Sequence, residues 1–174
     1  MRVTDFYLLK FQWVEEDPET GRDKKKKMEV LAEAVNYTDA ESTANMIIQL
    51  EGLEKYVSEN PEIIRQKAGA VRYNSCVLAD KGVFDGITEM YVEQDRFYQV
   101  VVNDPVMNED GEEKMVKSTL IIPAKSTSDA ELYAKSMYRD CTVMATKVMP
   151  FSSVFMTNST YESILKLWSD RHGL

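Results

Sequence analysis

Histidine occurs once in this chain and cysteine twice, and that scarcity removes much familiar chemistry. A structural zinc site takes four ligands, mainly Cys and His. His172, Cys76 and Cys141 are too few and too scattered to supply them. The two cysteines form no CxxC pair and read as reduced, partly buried thiols of a cytosolic protein. His172 lies two residues from the end, where a frayed terminus seldom holds the orienting partner that a catalytic imidazole needs. Long apolar runs are missing as well. None approaches the roughly 18 residues of a membrane span, and no apolar core of a secretory leader follows Met1-Arg2-Val3-Thr4-Asp5. The seven glycines form no GxxxxGK[ST], GxGxxG or GxSxG pattern, so neither a phosphate cradle nor a nucleophile elbow is indicated. Positive charge is in deficit: 21 Lys and Arg stand against 29 Asp and Glu, a net charge of −8. That balance argues against a nucleic-acid coat built on bulk positive charge. No catalytic residue, metal or cofactor is predicted.

What remains is ordinary globular material, 44% hydrophobic and 29% charged over 174 residues. That length suits one domain or two small ones sharing a core. Its strongest pattern is repetition. At a shift of 90 positions Gly21 meets Gly111, Lys24 meets Lys114, Lys27 meets Lys117 and Ala34 meets Ala124. Asp39-Ala40-Glu41 meets Asp129-Ala130-Glu131, and one residue out of step Phe6-Tyr7 meets Phe97-Tyr98. The shared offset makes a duplicated unit the natural explanation.

Each copy begins with a strand rich in β-branched and aromatic residues, 6–15 and then 96–103. A polar loop with a late glycine follows, then a second strand, 26–35 and 115–124. Helices are predicted from capping boxes at Thr38-x-x-Glu41 and Ser128-x-x-Glu131. Their apolar stripes are Ala40, Ala44, Ile47, Ile48 and Ala130, Ala134, Met137, Tyr138. A third strand, 71–78 or 149–156, closes each unit, and another strand covers 87–93. Residues 51–62 read as a helical extension ended by Asn60-Pro61. A last helix starts at the box Ser159-x-x-Glu162, with Tyr161, Ile164, Leu165 and Trp168 on its apolar face. The expected fold is α+β: two tandem ββαβ repeats packed as one pseudo-twofold antiparallel-sheet body with a C-terminal helix. The divisions are 1–82 for the first repeat with its insertion, 83–157 for the second, and 158–174 for the helix.

The stretch Val35-Asn36-Tyr37-Thr38-Asp39-Ala40-Glu41, with the junction Asp95-Arg96-Phe97-Tyr98, resembles an uncharacterised two-repeat domain family of gut Bacteroidales and their crAss-like phages. The resemblance covers nearly the whole chain, through structural motifs. It implies a phage or mobile-element setting inside a bacterial cell, and it transfers no catalytic residue.

Candidate binding chemistry lies in two features. Lys24-Lys25-Lys26-Lys27 is the densest positive cluster, echoed by Lys114 and Lys117. It reads either as lysines guarding an edge strand from aggregation or as a phosphate-contacting rim. The strand aromatics Tyr7, Trp13, Tyr73 and Tyr98 read either as core or as a platform on which unpaired bases stack. The acidic run 108–113 lacks calcium-loop spacing and reads as a solvated hairpin tip. Together these predict a non-enzymatic binding protein. The first expected partner is single-stranded DNA, in phage or mobile-element replication. The alternative is a protein–protein module, an assembly factor or host-directed inhibitor, with no nucleic-acid partner. A homodimer follows if an aromatic sheet face stays uncovered.

Overall fold

The runs Phe6-Tyr7-Leu8-Leu9 and Leu120-Ile121-Ile122 do not alternate apolar with polar, so both faces of their strands must be covered. A computed structural model describes residues 4–56, 61–66, 70–72, 80–84, 86–92, 95–151 and 153–172. In chain order the described elements are β1 (Asp5–Glu16), β2 (Asp23–Ala34), α1 (Tyr37–Leu50), β3 (Glu62–Gln66), β4 (Ala70–Val71), β5 (Asp80–Phe84), β6 (Ile87–Tyr91), β7 (Arg96–Met107), β8 (Glu113–Ala124), α2 (Thr127–Met137), β9 (Thr142–Val148), β10 (Ser153–Thr157) and α3 (Asn158–His172). The fold is α+β with two sheets. One has the order β3-β1-β2-β10-β6-β5 and the other β4-β8-β7-β9.

Five elements follow in the same order in each half, β1-β2-α1-β3-β4 and β7-β8-α2-β9-β10, while β5, β6 and α3 have no counterpart among the described residues. Hairpin β1–β2 pairs Asp5 with Ala34 through to Glu16 with Asp23, and β7–β8 pairs Arg96 with Ala124 through to Met107 with Glu113. Each hairpin turns at a loop holding a positive-φ glycine, Gly21 and Gly111. Each carries a helix on its outer face and a further antiparallel strand on its first strand, β3 on β1 and β9 on β7.

The final strands do not close their own units as expected from sequence. β4 pairs in parallel with β8, placing Val71 opposite Ile121. β10 pairs in parallel with β2, placing Val154 opposite Leu31. Leu31 and Ile121 are themselves 90 positions apart, so the exchange is reciprocal. Each half sends one strand into the sheet of the other, as in a swapped dimer joined into one chain.

Three local readings also change. The caps lie two residues upstream of the boxes read from sequence: Asn36 Oδ1 accepts from the Asp39 N–H, Ser126 Oγ from the Asp129 N–H, and Thr157 Oγ1 from the Thr160 N–H. The Asp39 and Asp129 carboxylates reach back to the backbone N–H of Val35 and Lys125, doing the work assigned to Glu41 and Glu131. Helix α1 does not extend through 51–62. Gly52 takes φ +68° while its N–H bonds Gln49 O and that of Leu53 bonds Ile48 O. This left-handed closure, with Leu53 buried, ends the helix, and β3 begins at Glu62. Residues 73–78 of the expected third strand lie outside the described residues, as do Tyr73 and Cys76.

Packing follows from the two-sided strands. Tyr7, Leu9, Phe11, Val30 and Ala32 pack under Ala40, Ala44 and Ile47 of α1. Tyr98, Val100, Leu120 and Ile122 pack under Ala130, Tyr133 and Ala134 of α2. The opposite faces share one central core: Phe6, Leu8, Leu31, Met90, Val154 and Met156 from one sheet, with Val71, Phe97 and Ile121 from the other. Tyr161 and Ile164 of α3 join that core, and Leu165 and Trp168 pack against it.

Candidate nucleic-acid interface

Strand periodicity decides what the candidate residues can do. On β1 the odd-numbered residues face α1, so Tyr7 is 3% exposed and its ring meets Tyr37 edge-on at 5.1 Å. Tyr98 is 7% exposed beneath α2. Neither can stack a base, which corrects the platform read from sequence. In each Phe-Tyr pair one ring enters the central core and the other lies under a helix, so neither sheet offers an open aromatic face there. The condition set for a homodimer, an uncovered aromatic face, is therefore not met by the described residues.

The hairpins run on beyond their helices, and Trp13 lies on the first of these arms. It is half-buried, directly opposite Lys26, and its indole Nε1 donates to Glu15 Oε1 at 2.8 Å. Along β2 the lysines alternate in direction. Lys24 and Lys26 share the face of Glu15 and Trp13, whereas Lys25 and Lys27 share that of Val14 and Gln12. The four charges thus do not form a single rail. Trp13 and Lys25, Lys26 and Lys27 nevertheless line one cleft of about 350 Å³, together with Tyr56. Tyr56 is 44% exposed in the turn after α1, where its N–H bonds Leu53 O. Tyr56 was missed in the sequence because residues 51–62 read as helix. The helix stop at Gly52 was the signal that could have found it.

Charge around this cleft is balanced. From Glu15 to Lys27 the chain holds five acidic residues and five basic ones. Attraction for an anion there is short-ranged and depends on contact rather than on a broad field.

Lys114 and Lys117 are exposed on β8, in the other sheet, and do not line the Trp13 cleft. Their arm is the apolar counterpart of the first. Val106, Met107, Met115 and Val116 are all exposed on it. Its tip is shaped by Asn108, whose Oδ1 accepts from the N–H groups of Asp110 and Glu112, consistent with the hairpin-tip reading.

Both arms fall within one family signature. A family model described as Domain of unknown function (DUF4494) matches residues 5–156, from the first residue of β1 to the last but one of β10. The chain belongs to the DUF4494 family. The match takes in both hairpins and both exchanged strands, and α3 lies beyond it. No curated protein and no solved structure matches the chain. Among the described residues, no helix is long and apolar enough to cross a membrane.

Proposed function

We propose that this DUF4494 protein is a non-enzymatic binding module that takes a short stretch of single-stranded nucleic acid at the Trp13–Tyr56 cleft. One observation carries the reading: exposed Tyr56 and half-buried Trp13 line one cleft with Lys26, which lies directly opposite Trp13 on the same face of the hairpin. A base stacks on the Trp13 and Tyr56 rings, a contact worth about 1–3 kcal/mol per base. Lys26, on the face of Trp13, meets a flanking phosphate. The footprint is one or two nucleotides, much shorter than a platform using Tyr7 and Tyr98 would give. The resemblance to a phage-associated family supports a role in phage or mobile-element replication, in the bacterial cytoplasm.

The test is fluorescence anisotropy of a labelled oligothymidine, with duplex DNA as control, at low salt and at about 0.15 M. Single-strand binding that weakens with salt, with a log–log slope of about −0.7 for one phosphate, supports the proposal. It should disappear in Trp13→Ala and weaken in Lys26→Glu. Absence of binding at low salt overturns it.

A second reading rests on the other arm. Met107 is 67% exposed and Met115 49%, on a hairpin whose neighbour β9 forms the outer edge of its sheet. Apolar side chains beside a sheet edge suit a protein partner that adds a strand. That partner would bind equally well after nuclease treatment, and Met107→Asp would abolish its binding while leaving the Trp13 cleft intact.

A further inference from the structure

A second cleft, of about 500 Å³, is lined by residues from β1, β2, the end of β4 and α3, away from both arms. Its polar wall is Glu33 of β2, Arg72 just after β4, and Ser159, Thr160 and Ser163 of α3. Its apolar wall includes Phe6, Val71, Ile164 and Leu167. Glu33 is 7% exposed, and its Oε1 accepts from the hydroxyls of Thr157 and Thr160, both at 2.9 Å. Its Oε2 accepts no hydrogen bond from the described residues. Arg72 Nη2 donates to Tyr138 Oη and Nη1 to Val71 O, at 3.3 and 3.4 Å, both long. Its Nε is buried without an acceptor.

A buried donor left unpaired is costly, and more so on a guanidinium that has no ion pair among the described residues. Glu33 is the evident counter-ion in the cleft. Yet the ion pairs among the described residues are Lys10–Glu29 and Arg65–Asp5, and Arg72 joins neither. Glu33 is anchored by two hydroxyls from one direction, and Arg72 is fixed by the backbone pairing of β4 on β8, its N–H bonding Ile121 O. The fold therefore holds opposite charges apart in a cleft of ligand size. The duplication does not repeat this arrangement: strand register puts Phe155 where Arg72 would be, and the 90-residue shift puts Pro123 where Glu33 would be.

We infer that this cleft binds a small zwitterion of the α-amino-acid type with an apolar side chain. The ligand ammonium donates to Glu33 Oε2, the ligand carboxylate accepts from Arg72, and the side chain lies on the apolar wall.

The test is saturation-transfer NMR with L-leucine and L-phenylalanine as probes and N-acetyl-leucine amide as the uncharged control. The expected result is saturable transfer at millimolar concentration to the amino acids and none to the control. Arg72→Gln and Glu33→Gln should each abolish it. Ser163→Phe, at an exposed helix position on the cleft wall, should block binding while leaving both charges and the fold intact, which circular dichroism checks. No transfer to either amino acid, equal transfer to the control, or transfer that survives Ser163→Phe overturns the inference.

Discussion

Leu31 and Ile121 are fully buried at equivalent places in the two halves, each opposite the strand received from the other half. Both belong to the core the two sheets share. Truncating a buried Leu or Ile to Ala removes its transfer free energy and leaves a cavity, at a cost of about 2–5 kcal/mol. The middle of that range, about 3 kcal/mol, lowers the melting temperature of a chain this size by about 6–12 °C. Reciprocal exchange adds a stronger demand. Neither sheet is complete without the other half, so Leu31→Ala and Ile121→Ala must destabilise the same cooperative transition. The assay is urea unfolding followed by far-UV circular dichroism and by tryptophan fluorescence. Trp13 reports on the first sheet and Trp168 on α3. Each variant should move both curves together. Two separate transitions, or an Ile121→Ala effect seen by dichroism but not by fluorescence, would refute the interlocked reading.

Gly52→Ala isolates a backbone effect, because an added Cβ meets nothing within 4 Å while φ is +68°. The expected loss is about 1 kcal/mol from left-handed strain alone, read from chemical denaturation, and an unchanged midpoint would contradict it. Burial pushes the Tyr161 phenol up. The fold therefore favours the neutral form, and that contribution is complete below the ordinary phenol value of about 10 and is lost as pH rises through the folded value. Melting temperature should fall above that pH, and less steeply in Tyr161→Phe; equal slopes would count against the account. Burial first, then Asp104, pushes the Cys141 thiol up. In a Cys76→Ser background its alkylation by iodoacetamide at mildly alkaline pH should be slower than that of a free thiol. A rate matching the free thiol would show that the thiol is not held up.

The hairpins, the α1 and α2 stripes and the α3 face were legible because each rests on local periodicity and turn chemistry. Asn36 and Ser126 were passed over because Thr38-x-x-Glu41 and Ser128-x-x-Glu131 satisfied the same cap pattern two residues later. β3 and β9 are short edge strands whose pairing is decided across the sheet, and Glu62–Gln66 and Thr142–Val148 carry little local sign of it. Strand exchange is a choice between two partners with the same apolar run at equivalent places, around Leu31 or Ile121, which no local pattern settles. Burial of Tyr7 and Tyr98 was recoverable, since Phe6-Tyr7-Leu8-Leu9 is a two-sided apolar run. The lysines and Trp13 were found by composition, whereas Tyr56 needed the helix stop at Gly52, and Glu33 with Arg72 needed the pairing of β4 with β8.

The proposed nucleic-acid cleft is tested most directly by the indole N–H resonances of the two tryptophans in a ¹⁵N-labelled sample titrated with oligothymidine. Trp13 lines the cleft and Trp168 packs against the central core. The Trp13 resonance should shift progressively, together with backbone amides of residues 25–27 and 56, while that of Trp168 stays in place. A Trp13 resonance that does not move, or shifts confined to the β7–β8 arm, would contradict the account.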